Sequence, residues 1–349
     1  MNYLSQKILM LCLVFCAAQA NASVADQALS TACQQGDLAA VKAALAKGAD
    51  VNALDEKNQS VLSKAYFWPP ITKLLLEKGA DPNAGSYPAL LMASATYSVE
   101  VMDLLLAAGA KPNLPGYVKS DATEKIKTMI ADMEEKANKA RGKAKKIMQA
   151  GVDQMRAQYP DLDGPGLKFY AIQNVIMQTN CVECLDKLLK HGADLSLGVE
   201  NEMNQIHSFA IYGMTAAQRK DVFAKGKKIM EETHHTKTPD WYGNLPSSVN
   251  KSPEAMLALL VKAGQDINKL DINQRTPLHH GMAGGVGNKS EIMLALVHAG
   301  ADIELEDPMF GKPFTLAVKT GEISLVQKFL DQGADINEGS KIIDMDLGQ

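Results

Sequence analysis

One decapeptide pattern recurs along the chain: an apolar residue, Leu-Leu, two variable positions, Gly-Ala-Asp, a variable position and Asn. Its glycines are Gly48, Gly79, Gly109, Gly192, Gly264, Gly300 and Gly333, with successive spacings of 31, 30, 83, 72, 36 and 33 residues. Four of those six spacings lie close to 33. A fixed period of this size marks a supersecondary unit too small to bury its apolar face alone, so the units must stack. From Leu38 to Leu45 apolar residues fall at helical spacing, and Gly48 supplies the left-handed residue that closes a helix C-terminus. The same design is written at Ile71–Gly79, Val101–Gly109, Val182–Gly192, Ala255–Gly264, Ile292–Gly300 and Ile323–Gly333. A shorter apolar stretch precedes each, as at Ala28–Gln34 and Phe314–Lys319. The unit is therefore two antiparallel helices and a loop.

Composition agrees with helices and excludes some functions. Aromatic residues are only 5%, while Ala, Leu and Met are abundant, which suits helices better than a β-sandwich. The formal charge of −4 argues against a dedicated nucleic-acid binder, which carries a net basic field. The expected fold class is all-α: a solenoid with lengthened or inserted helices in its middle.

These residues resemble ankyrin repeats. Thr276-Pro277-Leu278-His279, introduced by Asp271, matches the family's turn signature, and Ser60-Val61-Leu62 and Lys312-Pro313-Phe314 are degenerate versions. Gly48-Ala49-Asp50 with Asn52, Gly79-Ala80-Asp81 with Asn83, and Gly333-Ala334-Asp335 with Asn337 match its closing turn. The resemblance runs from about residue 25 to 337, outside two excesses, although several units lack the Thr-Pro turn. It implies a binding scaffold that holds a protein partner with its loop tips and concave helix face. It also implies that His279 hydrogen-bonds its own turn.

Residues 1–22 have the pattern of an export signal: Lys7, an apolar run from Ile8 to Ala18, and Ala20-Asn21-Ala22 before a cleavage point. The apolar run is too short to span a bilayer, so a periplasmic or secreted protein without a transmembrane segment is expected. Neither Cys12 nor Cys16 follows a small residue, which argues against lipidation. Three cysteines then remain, Cys33, Cys181 and Cys184, too few for a disulfide framework. Cys181-Val182-Glu183-Cys184 is either a pair of small packing residues, with Cys184 on the apolar face of its unit, or a local disulfide, rather than a redox pair, because no thioredoxin-like strand precedes it.

The expected organisation is about three repeats over 23–113, an excess at 114–166, about four repeats over 167–337 with a second excess at 213–250, and a tail at 338–349. The first excess carries an apolar seam from Ile126 through Ile130, Met133, Ala137, Ala140 and Ala144 to Ile147. It is either one helix of about 45 Å or a hairpin folded at Gly142. Ala150-Gly151-Val152-Asp153 mimics a repeat terminus, so an inserted segment and an eroded repeat both remain open. The second excess begins with a capping box, Thr215 to Gln218, followed by Val222, Phe223, Ile229 and Met230. The seam has two candidate covers, this 215–232 helix or the partner itself, and mutual packing with the helix is expected.

Lys136, Lys139, Arg141, Lys143, Lys145 and Lys146 are six bases in eleven residues without an acid. They are either a solvated helix face or a contact for an anionic surface. Candidate partner-contact residues are Lys143, Lys145 and Lys146 together with the scarce aromatics Tyr66, Phe67, Trp68, Trp241 and Tyr242. No phosphate loop, G-x-S-x-G elbow or H-E-x-x-H is present. His234-His235 and His279-His280 lack other ligands at metal spacing. No catalytic, metal or cofactor residue is therefore assigned. The reading is a periplasmic protein-interaction scaffold, in its sharper form an immunity-type protein that neutralises a secreted toxin such as a lipase. The alternatives are an accessory factor stabilising a periplasmic enzyme, and an enzyme with a scattered site.

Overall fold

The computed structural model describes residues 24–96, 98–118, 121–158, 167–199, 201–233, 253–284, 290–308 and 310–337. The expected leader at 1–22, the Trp241–Tyr242 loop and the tail at 338–349 lie outside them.

Seven helix pairs follow one another: α1 (24–35) with α2 (Leu38–Ala46), α3 (Val61–Lys64) with α4 (Pro69–Glu77), and α5 (Ala89–Ser94) with α6 (Val99–Ala107). After strand β1 (Gly116–Val118), helices α7 (Asp121–Lys139) and α8 (Gly142–Gln158), and strand β2 (Leu167–Phe169), the fourth pair begins. Its first member is α9 (Ala171–Gln173), continued by a π-turn at Asn174–Thr179, and its second is α10 (Val182–Lys190). The fifth pair is α11 (Gln205–Tyr212) and α13 (Pro253–Lys262), with α12 (Ala216–Thr233) between them. The last two are α14 (Pro277–Gly284) with α15 (Ser290–His298), and α16 (Pro313–Thr320) with α17 (Ile323–Asp331).

The first helices stack in one row, α3 on α5, α5 on α9, the π-turn on α11, α11 on α14 and α14 on α16. The second helices form the other row, from α2 through α4, α6, α10, α13 and α15 to α17. One apolar core runs between the rows from Leu29 to Ala334. Every second helix ends as its sequence dictates. Gly109 and Gly192 have φ of +88° and +83°, and no atom within 4 Å would meet an added Cβ. Backbone conformation alone requires glycine there. It lets Ala110 and Ala193 donate back to Leu105 and Leu188 at 2.9 Å.

Both excesses leave this stack uninterrupted. The Asn52 amide donates to Gly79 O and accepts from Asp81 N–H, and Asn83 repeats the exchange with Gly109 and Lys111. Asn113 makes the same exchange with Gly192 O (2.9 Å) and Asp194 N–H (2.8 Å), across 79 residues of sequence. The third and fourth pairs are therefore direct neighbours. The segment between them leaves and returns through the antiparallel β1–β2 pair, with Val118 opposite Leu167.

That segment is a hairpin rather than one long helix. The chain reverses at Gly142, whose φ is +59°. Ile130 and Val152 are buried against each other with Ile126, Met133 and Met155 around them, and Arg156 Nε meets Glu134 at 2.8 Å. The first part of the seam is thus covered by α8. The side chains of Val222, Phe223, Ile229 and Met230 lie outside the described residues. Gly151 sits inside α8 beside Met133, so it does not end a repeat. In the second excess the Thr215–Gln218 capping box forms, with both reciprocal hydrogen bonds.

Candidate functional site

The surface that positions function is built by the loops between pairs. Asp55, Asp271 and Asp307 each open a tight turn whose N–H donates to the carbonyl of Gln59, Arg275 and Gly311 respectively. Their carboxylates fold back onto the turns: Asp55 accepts from Lys57 and Gln59 N–H, and Asp271 from Asn273 and Arg275 N–H. Burial alone would raise the Asp271 carboxyl. Hydrogen bonds from Arg275 N–H, His280 and Asn273 N–H outweigh it and hold the group below the usual carboxylate range. Arg275 Nε also pairs with the fully buried Asp307 side chain at 2.8 Å, tying one loop to the next.

Histidines connect these turns to the first-helix row. His279 takes Thr276 Oγ1 at 2.8 Å on Nδ1 and reaches Gly311 O at 3.1 Å through Nε2, which is the turn-bonding role the resemblance implied. His207, which the sequence reading missed, does the same one unit earlier. Its Nδ1 lies against Asn204, and its Nε2 reaches Arg275 O at 3.1 Å. The signal was present in sequence as Asn204-Gln205-Ile206-His207, a degenerate form of Thr276-Pro277-Leu278-His279. His280 pairs with the Asp271 carboxylate at 2.8 Å. These histidines are structural members of the loops. No group of three metal-ligating side chains is found among the described residues.

The aromatic triplet is placed differently from the expected contact anchor. Phe67 is only 4% exposed and belongs to the core. Trp68 is half-buried, with its ring over the turn between α1 and α2. A Cβ at Gly36 would fall 2.3 Å from it. Tyr66 is half-buried with its ring 4.1 Å from that of Phe67. Pro69 and Pro70 open α4 directly after this cluster, and the Trp68 ring against Gly36 ties the first two units together. Trp241 and Tyr242 lie outside the described residues.

Cys181 and Cys184 form a disulfide and are both fully buried. Cys181 caps α10 by accepting Cys184 N–H, so the bridge pins the first turn of a second-row helix. Closing so short a loop stabilises by about 2 kcal/mol on chain-entropy grounds. Burial pushes Cys33, the remaining thiol among the described residues, up to about 12, with the Lys64 charge opposing. It is a packing residue.

Lys145 and Lys146 stand exposed on α8. Lys143 is on the same helix, and its side chain lies outside the described residues. The structure does not bring these lysines together with the Tyr66–Trp68 cluster. No helix among the described residues is long and apolar enough to cross a membrane.

Paired helices in two rows, closed by Gly-Ala-Asp turns and bridged by loop asparagines and histidines, define an ankyrin-repeat solenoid. The comparisons agree: the family model "Ankyrin repeats (3 copies)" matches residues 11–115. The ankyrin repeat and KH domain-containing protein mask-1 of Caenorhabditis elegans is 29% identical over 94 residues, which is 27% of this chain and 4% of that protein. A second ankyrin repeat and KH domain-containing protein, from Caenorhabditis briggsae, is 23% identical over 283 residues, 77% of this chain and 10% of that one. The chain thus spans a tenth or less of the length of these curated relatives. A solved complex of a predatory endopeptidase from Bdellovibrio bacteriovorus with an immunity protein covers 78% of this chain and 97% of that one, at 16% identity and a TM-score of 0.46. That likeness is too loose to argue from. Ankyrin repeats are in general protein-binding scaffolds rather than enzymes.

Proposed function

We propose that this chain is an exported binding scaffold of immunity type, which holds a toxin or effector protein such as a secreted lipase and blocks its action. The observation that carries the scaffold part is the unbroken stack. Seven units keep one loop row and one first-helix row in register across 83- and 72-residue spacings. Such a stack offers a long, rigid contact surface at little ordering cost. The export part rests on Lys7, the Ile8–Ala18 run and Ala20-Asn21-Ala22.

The test is capture of the partner from periplasmic extract on the tagged, processed chain, followed by titration of the purified partner's hydrolytic activity. Loss of that activity at one equivalent is expected. A partner whose activity rises makes this an accessory factor instead. Ester hydrolysis by the pure chain alone would overturn the scaffold reading altogether.

A further inference from the structure

The α7–α8 hairpin stands outside the two rows of the repeat stack, and its far end is strongly basic. α7 is 19 residues long, about 28 Å of helix, and its main neighbour is α8. From Arg141 to Met148 every residue whose side chain is described is exposed, so the first two turns of α8 are bare on all sides. Elsewhere some lysines are held in ion pairs: Lys64 with Asp55, Lys187 with Asp103, Lys190 with Asp186 and Lys225 with Asp221. Lower on the hairpin Lys136 pairs with Asp132 and Lys139 with Glu135. At the tip, Arg141, Lys145 and Lys146 have no carboxylate partner among the described residues.

Beside these cations stand Ile147, 64% exposed, and Met148, 41% exposed. The hairpin from Asp121 to Gln158 carries +3, against −4 for the whole chain, which leaves −7 elsewhere. An anionic surface would therefore repel the body and attract the tip.

We infer that the tip of this hairpin docks on a bilayer rich in anionic lipid, with the lysines at the headgroups and Ile147 and Met148 entering the interface. The choice of a lipid surface over an acidic protein follows from composition. Protein interfaces favour Tyr, Trp, Phe and Arg and are poor in Lys. Five of the six bases at 136–146 are lysines, and 121–158 contains no aromatic residue. Compact, flexibly tethered ammonium groups suit a diffuse field of headgroups, whereas arginine suits bidentate recognition of fixed carboxylates. A basic helix end with aliphatic side chains among its charges matches interfacial binding.

The experiment is co-sedimentation of the full processed chain with vesicles of phosphatidylglycerol and phosphatidylcholine in equal parts, compared with vesicles of phosphatidylcholine alone. Binding is expected to the anionic vesicles only, and is expected to disappear as NaCl rises from about 0.1 M to about 0.5 M. The double variant Lys145→Glu, Lys146→Glu is expected to lower partitioning at least about tenfold without a change in melting temperature. Ile147→Gln should weaken binding and leave its salt dependence intact. The inference is overturned if the unaltered chain ignores anionic vesicles, or if the double variant binds them equally well. It is also overturned if the double variant loses the captured protein partner while vesicle binding is unchanged, since the tip would then be a protein contact.

Discussion

Replacing Phe209 by alanine is expected to split the molecule's cooperative unfolding in two. Phe209 is fully buried in α11, the first-row helix that packs on the π-turn on one side and on α14 on the other. A Cβ at Gly213 would lie 2.9 Å from its ring, so the chain beyond α11 is folded tightly over it. Removing a buried phenylalanine costs about 3–5 kcal/mol where the surroundings cannot collapse, out of a typical total of about 5–15 kcal/mol. A solenoid is held by nearest-neighbour contacts, so a weak joint in the middle uncouples its halves. Denaturant titration followed by circular dichroism should show two transitions for Phe209→Ala. A single transition displaced by less than about 1 kcal/mol would show that the fifth unit does not carry the coupling between halves.

Mild acid should act on the same joint. Burial pulls His207 down to about 4 from its ordinary 6.5; the hydrogen bond to Arg275 O opposes this, and the nearby His280 adds to it. His279 is lowered as well, again chiefly by burial, despite its bond to Gly311 O. A histidine whose folded value is depressed takes up a proton more readily when unfolded. Its contribution is complete above about 6.5 and is lost as pH falls towards 4. For His207 that loss is on the order of 3 kcal/mol, since one pKa unit is worth about 1.4 kcal/mol. Asp271 extends the trend: its depressed carboxyl contributes stability that disappears only once pH falls below the ordinary carboxylate range. Melting temperature should therefore drop steadily between pH 6.5 and 4.5, and His207→Gln should flatten part of that slope. A melting temperature independent of pH over this window would mean that both imidazoles are open to solvent.

The repeat architecture was legible because each unit spells out its own ending. A glycine at the left-handed position, followed in five of the seven units by Ala and Asp, is a local requirement of the backbone and survives even where the Thr-Pro turn is lost. His279 could be assigned for the same reason: its partners Thr276 and Gly311 lie on turns the sequence announces. The middle of the chain was less legible because its packing is not local. Gly151 imitates a repeat terminus, but it is a mid-helix contact with Met133. The meeting of Asn113 with Gly192, with α5 on α9 and α6 on α10, shows which units are neighbours. Trp68 and Phe67 looked like surface anchors beside two prolines. The prolines instead open α4, while the Trp68 ring lies against Gly36 and Phe67 is in the core. Of the candidate site, the basic run was visible as composition. That its tip is bare on all sides depends on a reversal at Gly142, which left two geometries open.

That one continuous solenoid passes beneath the hairpin can be tested by removing the hairpin. Val118 and Leu167 are opposite one another in the β1–β2 pair, so replacing residues 119–166 by Asn-Gly, the sequence favoured in two-residue hairpin turns, should close the chain without disturbing Asn113 or Gly192. The shortened protein is predicted to give a strongly helical far-UV spectrum and one cooperative thermal transition close to that of the full chain. A molten or unfolded product would contradict the account, because 119–166 would then be a unit on which its neighbours depend.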